Sequence, residues 1–437
     1  MENGKAPPEF GSAEMRAQFP LDAEYVATNH GSFGVTPLAV TAARIGWAER
    51  IERNPDLFLK VDYDSALDAA LIPAARLLGL HNATISNISD NDLLSVVFTV
   101  NASTAINAVL RSLKAILAAS ARPPPSPATH KILCLSTVYG NVRKAIAYTG
   151  LNDAFGVVEL RVDFSRGIPS DISLVAQVSA AIDAERQAGA DVVLFVFDVV
   201  SSSPAIVSPF AKLTRLCRAK NILSCIDAAH AIGQIPVDLK SLQPDFFVTN
   251  LHKWLFVPRG CCLFYVDPRF HGVINHPVIS ETHFGNWRRG FHWVGTTDVS
   301  AFLTVSAALE FREWIGGENS IIKYNHDLAV RAGQIVAKKL ETRVLRGVIE
   351  NDNSSKNLDS QYASMVNVAV PNTQIVQKGG DLFMEGLQKR LLTEYNASVA
   401  FFKIDDEYWI RLSAQVYLND LDFEKIADIL YAVFHFE

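Results

Sequence analysis

Cysteine is scarce in this chain of 437 residues, with five in all: Cys134, Cys217, Cys225, Cys261 and Cys262. Their number is odd and their spacing fits no metal knuckle. That argues against a disulfide scaffold and for reduced thiols. Long apolar runs are missing too. The longest, "DVVLFVFDVV", is strand-sized, whereas a membrane-spanning helix needs about 20 such residues. No tract of lysine and arginine stands out, and the net charge is −6. Nucleic acid is therefore not an expected partner, and neither is a membrane. Residues 1–19 lack the apolar core of a secretory leader, so a cytoplasmic protein is expected. His271, His276, His283 and His292 are irregularly spaced with no acid beside them, so no metal is expected.

What is present is ordinary globular material: 49% apolar and 20% charged residues. The length predicts more than one core. Short apolar runs at 95–100, 131–136, 157–162, 191–198, 222–227, 246–250 and 261–266 read as strands. They are apolar throughout rather than alternating, as expected where helices cover both faces of a sheet. Helix-length segments such as "ASTAINAVLRSLKAILAAS" separate most of them. The pattern predicts an α/β fold with a mainly parallel seven-stranded sheet. Only about ten residues join the last two runs, too few for a parallel crossover, so the last is expected to run antiparallel. After residue 285 come helices at 298–315 and 318–341, "SMVNVAV", a helix near 382–394, "YWIRLSA" and a final helix. These predict a smaller α+β domain over 286–437, beside a large domain over 35–285. Residues 1–34 are expected to pack with the smaller one.

In open α/β sheets ligands gather at the C-terminal strand ends. Here those ends carry Asn101-Ala-Ser103-Thr104, Tyr139-Gly-Asn141, Asp198 with Ser201 to Ser203, Asp227-Ala-Ala-His230, and Asn250-Leu-His252-Lys253. Lys253 sits among apolar residues, between His252 and Trp254. A phosphate cradle, an aromatic, a carboxylate, a histidine and a sheltered amine are what pyridoxal phosphate requires. Partial burial favours the neutral, reactive form of the lysine. Each residue also has a plainer reading. Asp227 could cap a helix, and Arg411 could pair with Asp405 or Asp406. Cys261 and Cys262, adjacent on a strand, must face opposite ways. Arg288 and Arg289 read as solvated.

"IDAAHAIGQIPVDL" followed by "PDFFVTNLHKWLFVPRGCCLFYV" resembles the class V aminotransferase family of fold-type I pyridoxal-phosphate enzymes, in its isopenicillin N epimerase-like branch. "NHGSFGVTP", "WVGTTD" and "WIRLSAQVYL" extend the likeness over nearly the whole chain. The resemblance implies that Lys253 carries the cofactor as a Schiff base and moves protons at Cα. It implies that Asp227 pairs with the pyridine nitrogen and that His230 lies near the ring. Tyr139 would stack on the ring. Ser103, Thr104, Ser202 and His252 would hold the cofactor, and Thr296 or Thr297 would reach its phosphate from a neighbouring subunit. Arg411 would bind the substrate carboxylate, with Asn29 and His30 lining the substrate side. A homodimer with shared active sites and a small amino-acid substrate follow from the same likeness.

The reaction is less legible. No cysteine follows Cys262, which argues against a desulfurase with a mobile C-terminal cysteine. The chain is similar to the carbon–sulfur lyases of ergothioneine biosynthesis, but Arg161 is followed by Val162 where that group has a cysteine. It is also similar to the pyridoxal enzymes of loline-type alkaloid biosynthesis. The expectation is therefore cyclisation or epimerisation through Cα deprotonation in specialised metabolism. A carbon–sulfur lyase comes second and an aminotransferase third.

Overall fold

The computed structural model describes residues 6–80, 95–119, 124–280, 286–348, 361–371, 375 and 378–436. Seven strands form the main sheet: β1 (Val96–Thr99), β2 (His130–Leu135), β3 (Gly156–Leu160), β4 (Asp191–Asp198), β5 (Leu223–Asp227), β6 (Phe246–Asn250) and β7 (Cys262–Val266). Their order is β1-β7-β6-β5-β4-β2-β3. The pairs from β3 through β6 are parallel, and β7 runs antiparallel to both β6 and β1. The physical reason is the one the short connection implies: residues 251–261 can reverse the chain but cannot carry it back across the sheet.

One buried cluster lies on each face of the sheet. Cys261 belongs to one and Cys262 to the other, as period-two alternation requires. The helix Ala102–Ala119 buries Ala105, Ile106, Val109, Leu113, Ile116 and Leu117. Their three- and four-residue spacing makes one apolar face against the strands. β3 is the exception to the uniformly apolar expectation. Its burial alternates, because it is an edge strand with one face in water.

A second, antiparallel sheet has the order β8-β10-β9: β8 (Met365–Ala369), β9 (Ala400–Ile404) and β10 (Glu407–Ser413). β9 was not expected from the sequence; its tight turn through Asp405 (φ 52°) hides the hairpin. The N-terminal segment joins this sheet. Val26 bridges Ala397, and Ser413 N–H donates to the Thr28 carbonyl at 2.8 Å. The helix expected over 298–315 is two helices, Ser300–Leu303 and Val305–Trp314. They pack on the helices Leu38–Arg53 and Tyr63–Leu77, and Trp287–His292 packs on β1. Residues 286–314, expected with the smaller domain, therefore lie largely against the larger one. No described helix is long and apolar enough to cross a membrane.

Two close approaches bring the N-terminal turn His30–Phe33 against the turn Leu251–Trp254. His30 Nε2 lies 2.6 Å from the Lys253 carbonyl oxygen. At Gly34 (φ +69°) an added Cβ would stand 1.9 Å from the His252 carbonyl oxygen. Gly260 also has positive φ (+93°) but faces open space. Gly260→Ala should cost only the backbone penalty of about 1–2 kcal/mol. Gly34→Ala should cost clearly more, because the backbone of the lysine turn must move. Urea unfolding followed by circular dichroism compares the two; equal losses would show that the close approach carries no weight.

Candidate active site

β2, β4, β5 and β6 are parallel, and β1 points the same way because two antiparallel steps separate it from β6. Five C-terminal strand ends therefore share one edge of the sheet. There they enclose a cavity of about 170 Å³. Of the residues singled out from the sequence, Ser103, Tyr139, Ser202, Asp227, His230, His252 and Lys253 line it. So do Ser32, Asn101, Asp198 and Asn250, which were not singled out as site residues. Asp198 ends β4 as Asp227 ends β5, a signal the sequence already held. Asn250 has a positioning role: its Oδ1 accepts from Ala102 N–H at 3.0 Å, tying the helix start to β6. Ser32 donates to Asn29 Oδ1 at 2.8 Å, and what ties it to the site is Arg411, far along the chain.

A hydrogen-bond chain sets the state of the lysine. Trp254 Nε1–H donates to His230 Nδ1 at 3.1 Å, and an indole nitrogen can only donate. His230 Nδ1 is thus an acceptor, so the ring proton sits on Nε2. Nε2 lies 2.8 Å from Lys253 Nζ and donates to it, which requires a lone pair on the amine. This pattern is the one a neutral Lys253 amine makes, the form that gains ground as pH rises toward 8. Burial pulls its pKa down to about 8; Asp227 opposes this, and Arg411 adds to it. Burial and the neighbouring Lys253 also hold His230 well below the usual imidazole range. Tyr139 stands over the site, its ring centroid 5.9 Å from Lys253 Nζ.

Arg411, on the central strand of the small sheet, is 2% exposed. Nη1 donates to the Ser202 carbonyl (2.9 Å) and Oγ (3.1 Å). Nη2 donates to Asn29 Oδ1 (2.9 Å) and Ser32 Oγ (2.8 Å). Nε has no partner, and among the described residues Arg411 forms no ion pair. The plainer pairing with Asp405 does not occur; Asp405 binds Arg161. A buried guanidinium without a carboxylate costs free energy, and burial lowers its pKa to about 10.

Four anticipated residues stand elsewhere. Both ring nitrogens of His30 are engaged, Nδ1 with Tyr417 Oη at 2.9 Å and Nε2 with the Lys253 carbonyl. It braces the lysine from behind instead of lining the substrate side. Thr104 turns its N–H (2.9 Å) and hydroxyl (3.1 Å) to Asn101 Oδ1 and does not line the cavity. Thr296 and Thr297 are exposed and do not line the cavity of their own chain. Asn29 reaches the site through Arg411. Arg288, read as solvated, is buried against Asp68, whereas Arg289 is exposed beside Asp64. Residues 281–285 of the loop between them and the sheet, with His283, lie outside the described residues. Among the described residues no group of acids, histidines and cysteines could hold a metal ion.

The set fits pyridoxal phosphate. The cavity offers a neutral amine, a carboxylate for the pyridine nitrogen at Asp227, and an aromatic at Tyr139. Ser103 at a helix start and His252 suit the phosphate. The unpaired Nε of Arg411 beside the cavity suits a carboxylate brought by the substrate.

Comparison with known proteins agrees. The Aminotransferase class-V family model matches residues 175–373. The chain is 29% identical to hercynylcysteine sulfoxide lyase of Schizosaccharomyces pombe, covering 95% of this chain and 96% of the relative. It is 31% identical to putative L-cysteine desulfhydrase 1 of Oryza sativa subsp. japonica, covering 96% and 85%. A solved structure of a C-DES mutant, with glycine covalently linked to its PLP cofactor, superposes with a TM-score of 0.71 at 14% identity. That match covers 95% of this chain and 98% of the other. On the lysine site, the motifs and these similarities, the chain belongs to the class V aminotransferase family of pyridoxal-phosphate enzymes.

Proposed function

We propose that the chain is a carbon–sulfur lyase acting on a cysteine-derived amino acid. The observation that carries the enzymatic reading is the buried Lys253 amine held by His230 at 2.8 Å. The choice of lyase rests on similarity to two proteins named for carbon–sulfur chemistry. It moves ahead of the cyclisation or epimerisation expected first from the sequence.

Bound pyridoxal phosphate supplies an electron sink that weakens the bonds at Cα. The rest falls to this chain's residues. Arg411 takes the substrate carboxylate, exchanging part of its hold on Asn29 and Ser32 for a charge-assisted pair. Asp227 keeps the ring nitrogen protonated. Lys253, neutral at the start, accepts the Cα proton. The Cα–H and Cβ–S bonds break, and sulfur leaves with its bonding electron pair. No protein thiol is placed to take it: all five cysteines are buried and none lines the cavity. Burial pushes the Cys134 and Cys262 thiols up to about 12. The sulfur product is therefore released, not stored on the enzyme.

The active unit in this proposal is a homodimer. Thr296 and Thr297 are exposed and do not line the cavity of their own chain, and Phe33 (68%) and Val61 (67%) are exposed apolar residues. Sedimentation velocity should show twice the chain mass at micromolar concentration; a monomer with full activity would refute the shared site.

Incubating the holoenzyme with an S-substituted cysteine should give pyruvate, ammonia and thiol in equal amounts. Cα deuterium uptake without pyruvate would point instead to epimerisation or cyclisation. Lys253→Ala should abolish both the products and the visible absorption of the loaded enzyme. In the wild type, the cofactor should load onto apoenzyme about tenfold faster per pH unit up to about 8, then level off. The sign follows from the amine being protonated, and unreactive, below its pKa. Arg411→Lys keeps the charge but loses the planar fork. It should raise KM about 10- to 100-fold, the worth of about 1.5–3 kcal/mol of charged hydrogen bonding. Steady-state kinetics at saturating cofactor checks this.

A further inference from the structure

Asp198 and Asp227 are Cα partners across the adjacent parallel strands β4 and β5. Residues level with each other on neighbouring strands point to the same face, and both carboxyl groups line the cavity. They are not equivalent. Asp227 Oδ1 accepts from Ala229 N–H at 3.0 Å. Asp198 is 5% exposed, and among the described residues its Oδ2 has no hydrogen-bond partner. The backbone holds the two together: Val199 N–H donates to the Asp227 carbonyl at 2.9 Å, and Ser208 Oγ donates to the Asp198 carbonyl at 2.5 Å. The charged and titratable groups sharing the cavity are Lys253, His252, His230 and Tyr139. Arg411 approaches through Ser202, four residues beyond Asp198.

Two level carboxylates closed off from bulk water cannot both ionise at neutral pH unless two cations face them. In the resting enzyme Lys253 brings at most one charge, and in the loaded enzyme the pyridine nitrogen that Asp227 serves brings one. Only one aspartate is then matched, and Asp227 has the backbone donor. We propose that Asp198 keeps its proton in the resting and loaded enzyme, and donates it as a hydrogen bond to an acceptor on the ring of the bound cofactor. Asp198 thus works as a neutral acid beside an ionised one. Burial, and then the charge of Asp227, hold its pKa well above the usual carboxylate range; Lys253 opposes this. The inference rests on the cofactor assignment and not on the lyase reading.

Infrared difference spectra of wild type against Asp198→Asn test it, on apoprotein and after loading with pyridoxal phosphate. At pH 7 a protonated-carboxyl stretch should vanish with the substitution, and in the wild type it should shift on loading. The dissociation constant for pyridoxal phosphate gives a second readout. Asp198→Ala should raise it about tenfold, the value of one good hydrogen bond. Asp198→Asn, still a neutral donor, should stay within about threefold of wild type. Absence of the protonated-carboxyl band, or equal weakening by Asn and Ala, would overturn the proposal. If Asp198→Ala does not fold, the infrared comparison with Asn decides. Failure of the wild type itself to bind pyridoxal phosphate would overturn the cofactor assignment and this proposal together.

Discussion

The hydrogen bond from the Trp254 indole to His230 governs the chemistry of the site. Trp254 is fully buried and has no other role open to its N–H. It therefore dictates which nitrogen of His230 carries the proton, and His230 in turn dictates that Lys253 holds a lone pair. A lysine in water stays charged at neutral pH. Burial and the donor relay act on this one in the same direction and bring its pKa down to about 8, so a neutral fraction is on hand near neutral pH before any ligand arrives.

Charge is distributed around that amine with equal economy. The site holds two aspartates at level positions and one guanidinium that meets no carboxylate among the described residues. Each would be costly if left ionised and unmatched. Both demands are answered by a ligand with a protonated ring nitrogen at one end and a substrate carboxylate at the other. The site is thus less comfortable empty than full, as a pocket specific for a charged pair must be.

The backbone that carries Lys253 is braced from distant parts of the chain. His30 grips the Lys253 carbonyl and passes its other nitrogen to Tyr417 near the C-terminus. Arg312, paired with Glu318, donates to the Trp254 carbonyl at 2.7 Å. Gly233 (φ +83°) lets that same carbonyl pass where a Cβ would stand 2.5 Å away. The N-terminal turn, the segment after the main-sheet strand β5 and the helix Val305–Trp314 thus converge on the turn Leu251–Trp254. A binding site on such a frame is placed accurately because its neighbours over-determine it.

Sequence alone determined the sheet. Each apolar run from 95 to 266 became a strand, because solid β-branched and aromatic runs of that length have few other ways to be buried. It also pointed to Lys253, Asp227 and His230 as neighbours, since each closes or follows a strand and strand ends converge in this fold class; the three line one cavity. Tertiary structure decided what local pattern cannot carry. The hairpin strand β9 turns through an aspartate, the burial of Arg288 depends on Asp68, and His30 is drawn behind the lysine by Tyr417, 387 residues away. Among the described residues, the missing partner of Asp198 Oδ2 and the lack of an acid beside Arg411 belong to the same class. Periodicity and strand ends reveal which residues are buried and where they cluster. Which groups meet, and which are left unmatched, depends on contacts between segments far apart in the chain.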